Sequence, residues 1–244
     1  MDDHLLKTRA HNLTSISHNA VLLADPDCPG VSANWFEPHY WRGKATPVTA
    51  GGRGGAWFIT TEANEMVLRH YLRGGMMARF SERRYVFTGF QRARSLAEFK
   101  MLQTLREKGL PVPRAIAAYA VKCRGLWYEA AILVERISAA EPFPESPNLD
   151  QAALWQEIGR IIRGFHNEGL DHVDLNCDNI LVAQDQVYLI DFDRCRFRIE
   201  GSVDASWKQS NLDRLRRSVE KRCVCIPDKR REQLWQHLLH GYCL

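Results

Sequence analysis

The chain lacks long apolar runs. None could span a bilayer, so any membrane association is expected to be peripheral. The residues Met1-Asp2-Asp3-His4 lack the charged-then-apolar layout of a secretory signal. Cysteine is present but unorganised. The seven cysteines are scattered, no C-x-x-C pair occurs, and Cys223 and Cys225 stand only two apart. Neither a disulfide framework nor a zinc site is indicated, and a reducing cytosol is expected. Internal repeats and low-complexity segments are also missing. Bulk basicity without a recognisable module does not indicate nucleic-acid binding, and no such partner is expected.

The 244 residues are enough for a sizeable core in one or two domains. The net charge of +4 is modest, but it is unevenly spread. Arg69, Arg73, Arg79, Arg83, Arg84, Arg92 and Arg94 cluster with only Glu82 among them. Lys208, Arg214, Arg216, Arg217, Lys221, Arg222, Lys229, Arg230 and Arg231 form a second basic region. Such clusters suit phosphate-bearing or anionic-surface partners. The second region reads equally well as solvated helix faces whose arginines lie over apolar surface.

The chemistry concentrates in His172-Val173-Asp174-Leu175-Asn176-Cys177-Asp178-Asn179 and in Asp191-Phe192-Asp193. The first reads H-x-D-L-x-x-x-N, and the second follows at the distance of a metal-binding aspartate. Between them, Ile180-Leu181-Val182 and Val187-Tyr188-Leu189-Ile190 flank the polar turn Ala183-Gln184-Asp185-Gln186 and predict a hairpin. Its two ends would carry Asn179 and Asp191. This set suits phosphoryl transfer: one carboxylate deprotonates a hydroxyl, while an amide and a second carboxylate hold Mg²⁺. Asp and Asn singly are ordinary turn residues; the order and spacing of the whole set carry the reading.

The remaining segments fit around this centre. Gly51, Gly52, Gly54 and Gly55 make a glycine-rich turn before the strand runs Trp57–Thr61 and Met66–Tyr71. Such a turn lets backbone N–H groups approach phosphates. Residues 94–108 predict a helix with Leu96, Phe99, Leu102 and Leu105 on one face, Glu98 beside them and Gly109 as a stop. The aromatic run Asn34–Trp41 is expected to serve packing. Pro142, Pro144 and Pro147 punctuate a loop at the candidate boundary between lobes. Asp150 is the expected cap of a helix running to about Glu168, and two helices, roughly 205–221 and 229–240, close the chain.

In this order the parts resemble a bilobal, α+β protein-kinase-like fold. The expected lobes are a β-rich nucleotide-binding lobe over 1–137 and a mostly helical catalytic and acceptor-binding lobe over 138–244. More closely, Tyr71-Leu72-Arg73-Gly74-Gly75, His172–Asn176, Leu189–Cys195 and Trp207–Leu212 resemble the 3-deoxy-D-manno-octulosonic acid (Kdo) kinases of lipopolysaccharide core assembly. That resemblance implies ATP and Mg²⁺ as cofactors. It also implies a Kdo–lipid A precursor as acceptor, phosphorylated on the 4-hydroxyl of Kdo at the cytoplasmic face of the inner membrane. It makes Asp174 the catalytic base and Asn179 and Asp191 the metal ligands. Gly51, Gly52, Gly54, Gly55, Arg69, Glu98, Glu135 and Ile137 become nucleotide contacts, with Glu98 as the ion-pair partner of Arg69. His172 is expected to be structural. Arg73, Arg79, Arg83 and Arg84 are candidates for the acceptor's phosphates.

Some positions depart from the protein-kinase pattern. Arg69 stands where kinases usually carry lysine, Asn176 replaces the loop lysine, and Asp193 replaces the glycine of D-F-G. No A-P-E segment follows, which favours a small-molecule or glycolipid acceptor over a peptide. A heptose kinase or an aminoglycoside-type kinase would use the same loop, and a pseudokinase binding module would share the departures. Intact Asp174, Asn179 and Asp191 favour an enzyme.

Overall fold

The computed structural model describes residues 12–48, 55–71, 85–123, 126–184, 186–198 and 206–244. Gly51, Gly52 and Gly54 of the glycine turn lie outside the described residues, as do Arg73, Arg79, Arg83 and Arg84. The chain divides into two compact units, Met1–Thr104 with Arg114–Arg136, and Leu105–Pro113 with Ile137–Leu244.

The first unit is built on an eight-stranded antiparallel sheet. Its strands are β1 (Asn12–Ser17), β2 (Ala20–Ala24), β3 (Ala45–Pro47), β4 (Ala56–Thr60), β5 (Glu65–His70), β6 (Tyr85–Val86), β7 (Ala115–Lys122) and β8 (Trp127–Glu135). They run in the order β1-β2-β7-β8-β5-β4-β3, with β6 added to β8. The two strands expected after the glycine turn are β4 and β5, each beginning and ending one residue early. Period-two alternation buries Met66 and Leu68 of β5 opposite Ile59 and Leu133, where they pack with Ile116 and Phe36. The aromatic run does serve packing: Phe36 stacks on Tyr119, and the Trp41 indole N–H donates to the Trp35 carbonyl at 2.8 Å.

Helix α1 (Arg94–Glu107) buries Leu96, Phe99, Leu102 and Leu105, as its periodicity predicts. It ends at Gly109, whose φ of 73° is left-handed. Gly109 N–H donates to Arg106 and Leu110 N–H to Leu105, which satisfies the last carbonyls of the helix.

The second unit is mostly helical. It contains β9 (Ala140–Pro142), α2 (Ala152–Asn167), β10 (Leu170–Asp171), β11 (Ile180–Ala183), β12 (Gln186–Leu189), β13 (Arg196–Phe197), α3 (Ser206–Arg222) and α4 (Asp228–Cys243). The prolines at 142, 144 and 147 fall inside this unit, and Pro142 closes β9 opposite Leu181. Helix α2 buries Trp155, Ile158, Ile162 and Phe165. The expected Asp150 cap is not formed. Gln151 occupies the cap position, and the Asp150 carboxylate instead accepts from Arg230 Nε at 2.7 Å. Helices α2 and α4 cross backbone to backbone. A Cβ on Gly159 would lie 2.0 Å from the Leu238 carbonyl oxygen, and one on Gly241 2.0 Å from that of Gln156. Only glycine permits that approach. Among the described residues no helix is long and apolar enough to cross a membrane.

Candidate functional site

The second unit holds the H-x-D-L-x-x-x-N loop. It runs from the end of β10 into a 3₁₀ turn, Cys177–Asn179, and then into the β11–β12 hairpin. The hairpin is the one expected, with Ile180 opposite Leu189 and Val182 opposite Val187. Leu175 anchors the loop in the core, at 1% exposure.

Local polar chemistry shapes the loop. Asn176 caps the 3₁₀ turn: its side-chain oxygen accepts from Asp178 N–H at 2.9 Å and Asn179 N–H at 3.2 Å. Its amide Nδ2 donates to the Asp174 carbonyl at 3.0 Å, and Asn179 Nδ2 donates to the same oxygen at 2.9 Å. Ile190 N–H then donates to the Asn179 carbonyl at 3.0 Å. Asp174, Asn179 and the residue before Asp191 are therefore tied together. Asn176, which stands in the position of a kinase lysine, here serves loop geometry.

Because Asn179 Nδ2 is committed to Asp174, its Oδ1 is the end left to accept; among the described residues no donor reaches it. An amide oxygen is a hard donor of the kind Mg²⁺ takes together with carboxylate, water and phosphate oxygens. The described residues contain no cluster of three His, Cys, Asp or Glu ligands, so a closed all-protein cage of the structural-zinc kind is not built among them. Asp191 has a φ of 62°. A non-glycine residue in that region is uncommon and collects at functional turns.

A buried polar scaffold lies under the loop. His172 Nε2 donates to the Ile190 carbonyl at 3.1 Å and its ring meets Phe192 edge-on at 5.2 Å. Burial pushes its pKa down, so the ring is neutral, in line with a structural role. Asn211 of α3 accepts from His172 N–H and donates to Asp171 Oδ1, both at 3.0 Å. Asp171 Oδ2 also accepts from Arg198 Nη2 at 2.7 Å and from Arg196 Nε at 3.2 Å. Burial alone would raise the Asp171 pKa, but the bonds from Asn211, Arg198 and Arg196 outweigh it and hold the carboxyl below the usual range. Sequence reasoning gave Asp171 and Asn211 no role. The available signal was a lone amide among the apolar positions Leu212, Leu215 and Val219, where a buried polar group must find partners.

In the first unit Arg69 pairs with Glu98, and the Tyr71 hydroxyl donates to the other Glu98 oxygen. The Glu98 side chain is 3% exposed and that of Arg69 26%. A carboxylate that deep needs such partners. Ser95 fixes α1 on the sheet by donating to the Tyr119 carbonyl at 2.8 Å. Gly55 enters β4 with its carbonyl accepting from His70 N–H at 2.8 Å. Glu135 ends β8 with an exposed side chain and its N–H bonded to Arg114. Ile137, half-buried, begins the run of the second unit.

The profile of the Lipopolysaccharide kinase (Kdo/WaaP) family matches residues 38–242. The chain belongs to that family. It is 48% identical over 188 residues to a 3-deoxy-D-manno-octulosonic acid kinase of Stenotrophomonas maltophilia (strain K279a), covering 76% of this chain and 74% of that protein. A protein of the same name from Xanthomonas axonopodis pv. citri (strain 306) is 43% identical over 206 residues, covering 84% of this chain and 81% of the relative. Among solved structures, WaaP in complex with acyl carrier protein aligns with a TM-score of 0.55 at 15% identity, over 90% of this chain and 88% of that one. An aminoglycoside-3'-phosphotransferase of type VIII aligns at 0.56 and 16% identity, over 82% and 86%. At such identities these two structures speak for the kinase-like α+β fold alone, and the family membership makes the chain a phosphotransferase acting on a hydroxyl.

Proposed function

We propose that the protein transfers the γ-phosphoryl group of ATP to the 4-hydroxyl of Kdo on a Kdo–lipid A precursor. The observation that carries this reading is the lock on the Asp174 carbonyl by Asn176 and Asn179. It ties the backbone of Asp174 to Asn179, and the Ile190 N–H bond to the Asn179 carbonyl joins both to the residue before Asp191. The names of the relatives support the acceptor.

Phosphoryl transfer asks for positioning and charge neutralisation more than covalent help. Asp174 orients the sugar hydroxyl and accepts its proton. Arg69, held by Glu98, offers a guanidinium fork to nucleotide phosphate. In this reading Gly55 closes the phosphate-covering turn, and the backbone of Glu135 and Ile137 borders the adenine. Asn179 and Asp191 would hold Mg²⁺, which supplies charge neutralisation at the phosphates.

The acceptor is anchored in lipid, so the enzyme would work as a peripheral protein on the cytoplasmic face of the inner membrane. Arg214, Arg217 and Lys221 support this. They fall on one exposed face of α3 and have no ion-pair partner among the described residues. Their neighbours Arg216 and Arg222 are neutralised by Glu232 and Asp178. Each free cation near an anionic leaflet is worth about 1 kcal/mol, so vesicle binding should weaken steeply with salt.

Radiolabelled ATP with a Kdo–lipid A precursor, with and without Mg²⁺, tests the activity. Label in the lipid only when Mg²⁺ is present is expected. Nucleotide-dependent thermal stabilisation without turnover on Kdo, heptose or aminoglycoside acceptors would replace this reading with a binding module.

A further inference from the structure

The segment after Asp191 carries Arg194, Arg196 and Arg198. Arg196 and Arg198 are spent on Asp171. Arg194 is different. Its side chain is exposed, and no carboxylate among the described residues pairs with it. Its backbone is left-handed, with a φ of 62°, in a turn closed by Cys195 N–H donating to the Phe192 carbonyl at 3.1 Å. Glycine would take that conformation at no steric cost. A long cationic side chain is therefore held at a position where the backbone favours glycine, three residues beyond Asp191. Strain of this kind gathers where a side chain has work to do.

We infer that Arg194 is a specificity-determining residue that binds the carboxylate of the acceptor sugar. The inference rests on the proposed Kdo-directed activity. The sugar is an acid, and its carboxylate-bearing ring carbon lies close to the carbon that carries the accepting hydroxyl. A planar guanidinium accepts a carboxylate in a two-bond fork, which an ammonium cannot reproduce. Docking the carboxylate on Arg194 would hold the ring beside Asp174 and would discriminate against neutral sugars, which leave the cation unpaired.

Arg194→Gly separates this role from a structural one, because glycine relieves the turn. The variant should melt at or above the wild-type temperature. Its KM for the Kdo–lipid acceptor should rise about 10–100-fold, the loss of a charge-assisted bond, with the KM for ATP unchanged. Arg194→Lys should recover part of the loss. With the acceptor's carboxylate methyl-esterified, wild-type and Arg194→Gly enzymes should become equal. Variants matching wild type on the native acceptor, or losing equally on acid and ester, would overturn the assignment while the kinase reading stands. A wild-type enzyme that leaves the native acceptor unlabelled would overturn the kinase reading and this inference with it.

Discussion

Asp171 ends β10 and Asp174 follows three residues later in the loop, and their surroundings are opposite. Asp171 is 3% exposed, and Asn211, Arg196 and Arg198 bind its oxygens. Asp174 is half-buried, and no donor among the described residues reaches its carboxylate; only its backbone carbonyl is tied. A carboxylate saturated by donors has no capacity left for substrate and acts as scaffold. One whose backbone is fixed while its oxygens stay open keeps that capacity. The contrast extends downward to His172 and Asn211 and outward to Asp178.

The sharpest break in this comparison is at the open carboxylate. Asp174→Ala should lower kcat roughly 10²–10⁴-fold if general-base help is its role. Its thermal stability should stay within about 0.5 kcal/mol of wild type, because no side-chain bond is lost. Label transfer and a melting curve on one preparation check both. Wild-type turnover would remove Asp174 from the chemistry.

The scaffold should answer to acid instead. His166 donates from Nε2 to Asn211 Oδ1 at 3.4 Å and accepts from the Tyr242 hydroxyl at Nδ1, at 2.8 Å. Burial lowers its pKa from 6.5 to about 4, with nearby Lys208 acting in the same direction and Asn211 and Asp171 opposing it. On lowering the pH the unfolded chain takes up this proton near 6.5, while the folded chain resists until about 4. Stability from this site is complete above 6.5 and is lost through that window, to a total of roughly 3 kcal/mol. Urea midpoints at pH 7 and pH 5 measure it, and His166→Gln should flatten the difference. An unchanged slope in that variant would assign the acid sensitivity elsewhere.

Asn211→Ala comes next. It strands the buried His172 N–H and removes one donor from Asp171. Leaving such groups unsatisfied costs roughly 2 kcal/mol. Because Asn211 holds the loop from beneath, kcat should fall as well, though by less than in Asp174→Ala. Denaturation midpoints together with kcat test this. A variant as stable as wild type would mean that Asp171 and its arginines alone carry the scaffold.

Much of this was legible in the sequence, for physical reasons that differ by element. Strands β4 and β5, the β11–β12 hairpin and α1 follow from alternation, turn residues and a helical stripe, all of which are local signals. The Arg69–Glu98 pair was readable through a resemblance, since nothing local joins residues so far apart. What escaped reading was tertiary. Asp150 is drawn from its helix to Arg230, and Gly159 and Gly241 meet across two helices. Asn211 serves a loop about forty residues away. In each case the partner is set by packing, and no sequence period reports it.

The smallest effect completes the series of aspartates. Asp178 belongs to the same loop, four residues after Asp174, and its carboxylate is paired with Arg222 at 2.8 Å. Both side chains are nearly half exposed, at 45% and 43%. Water and salt screen such a pair, and it contributes about 0–1 kcal/mol. Asp178→Asn should change stability by about 0.5 kcal/mol and turnover less than about twofold. The Asn176 cap bonds Asp178 through its backbone N–H, which the substitution keeps. Urea denaturation and label transfer, each at low and high salt, check this. A loss of turnover like that of Asp174→Ala would show that exposure and open oxygens are poor guides to function on this loop, and the contrast between Asp171 and Asp174 would lose its meaning.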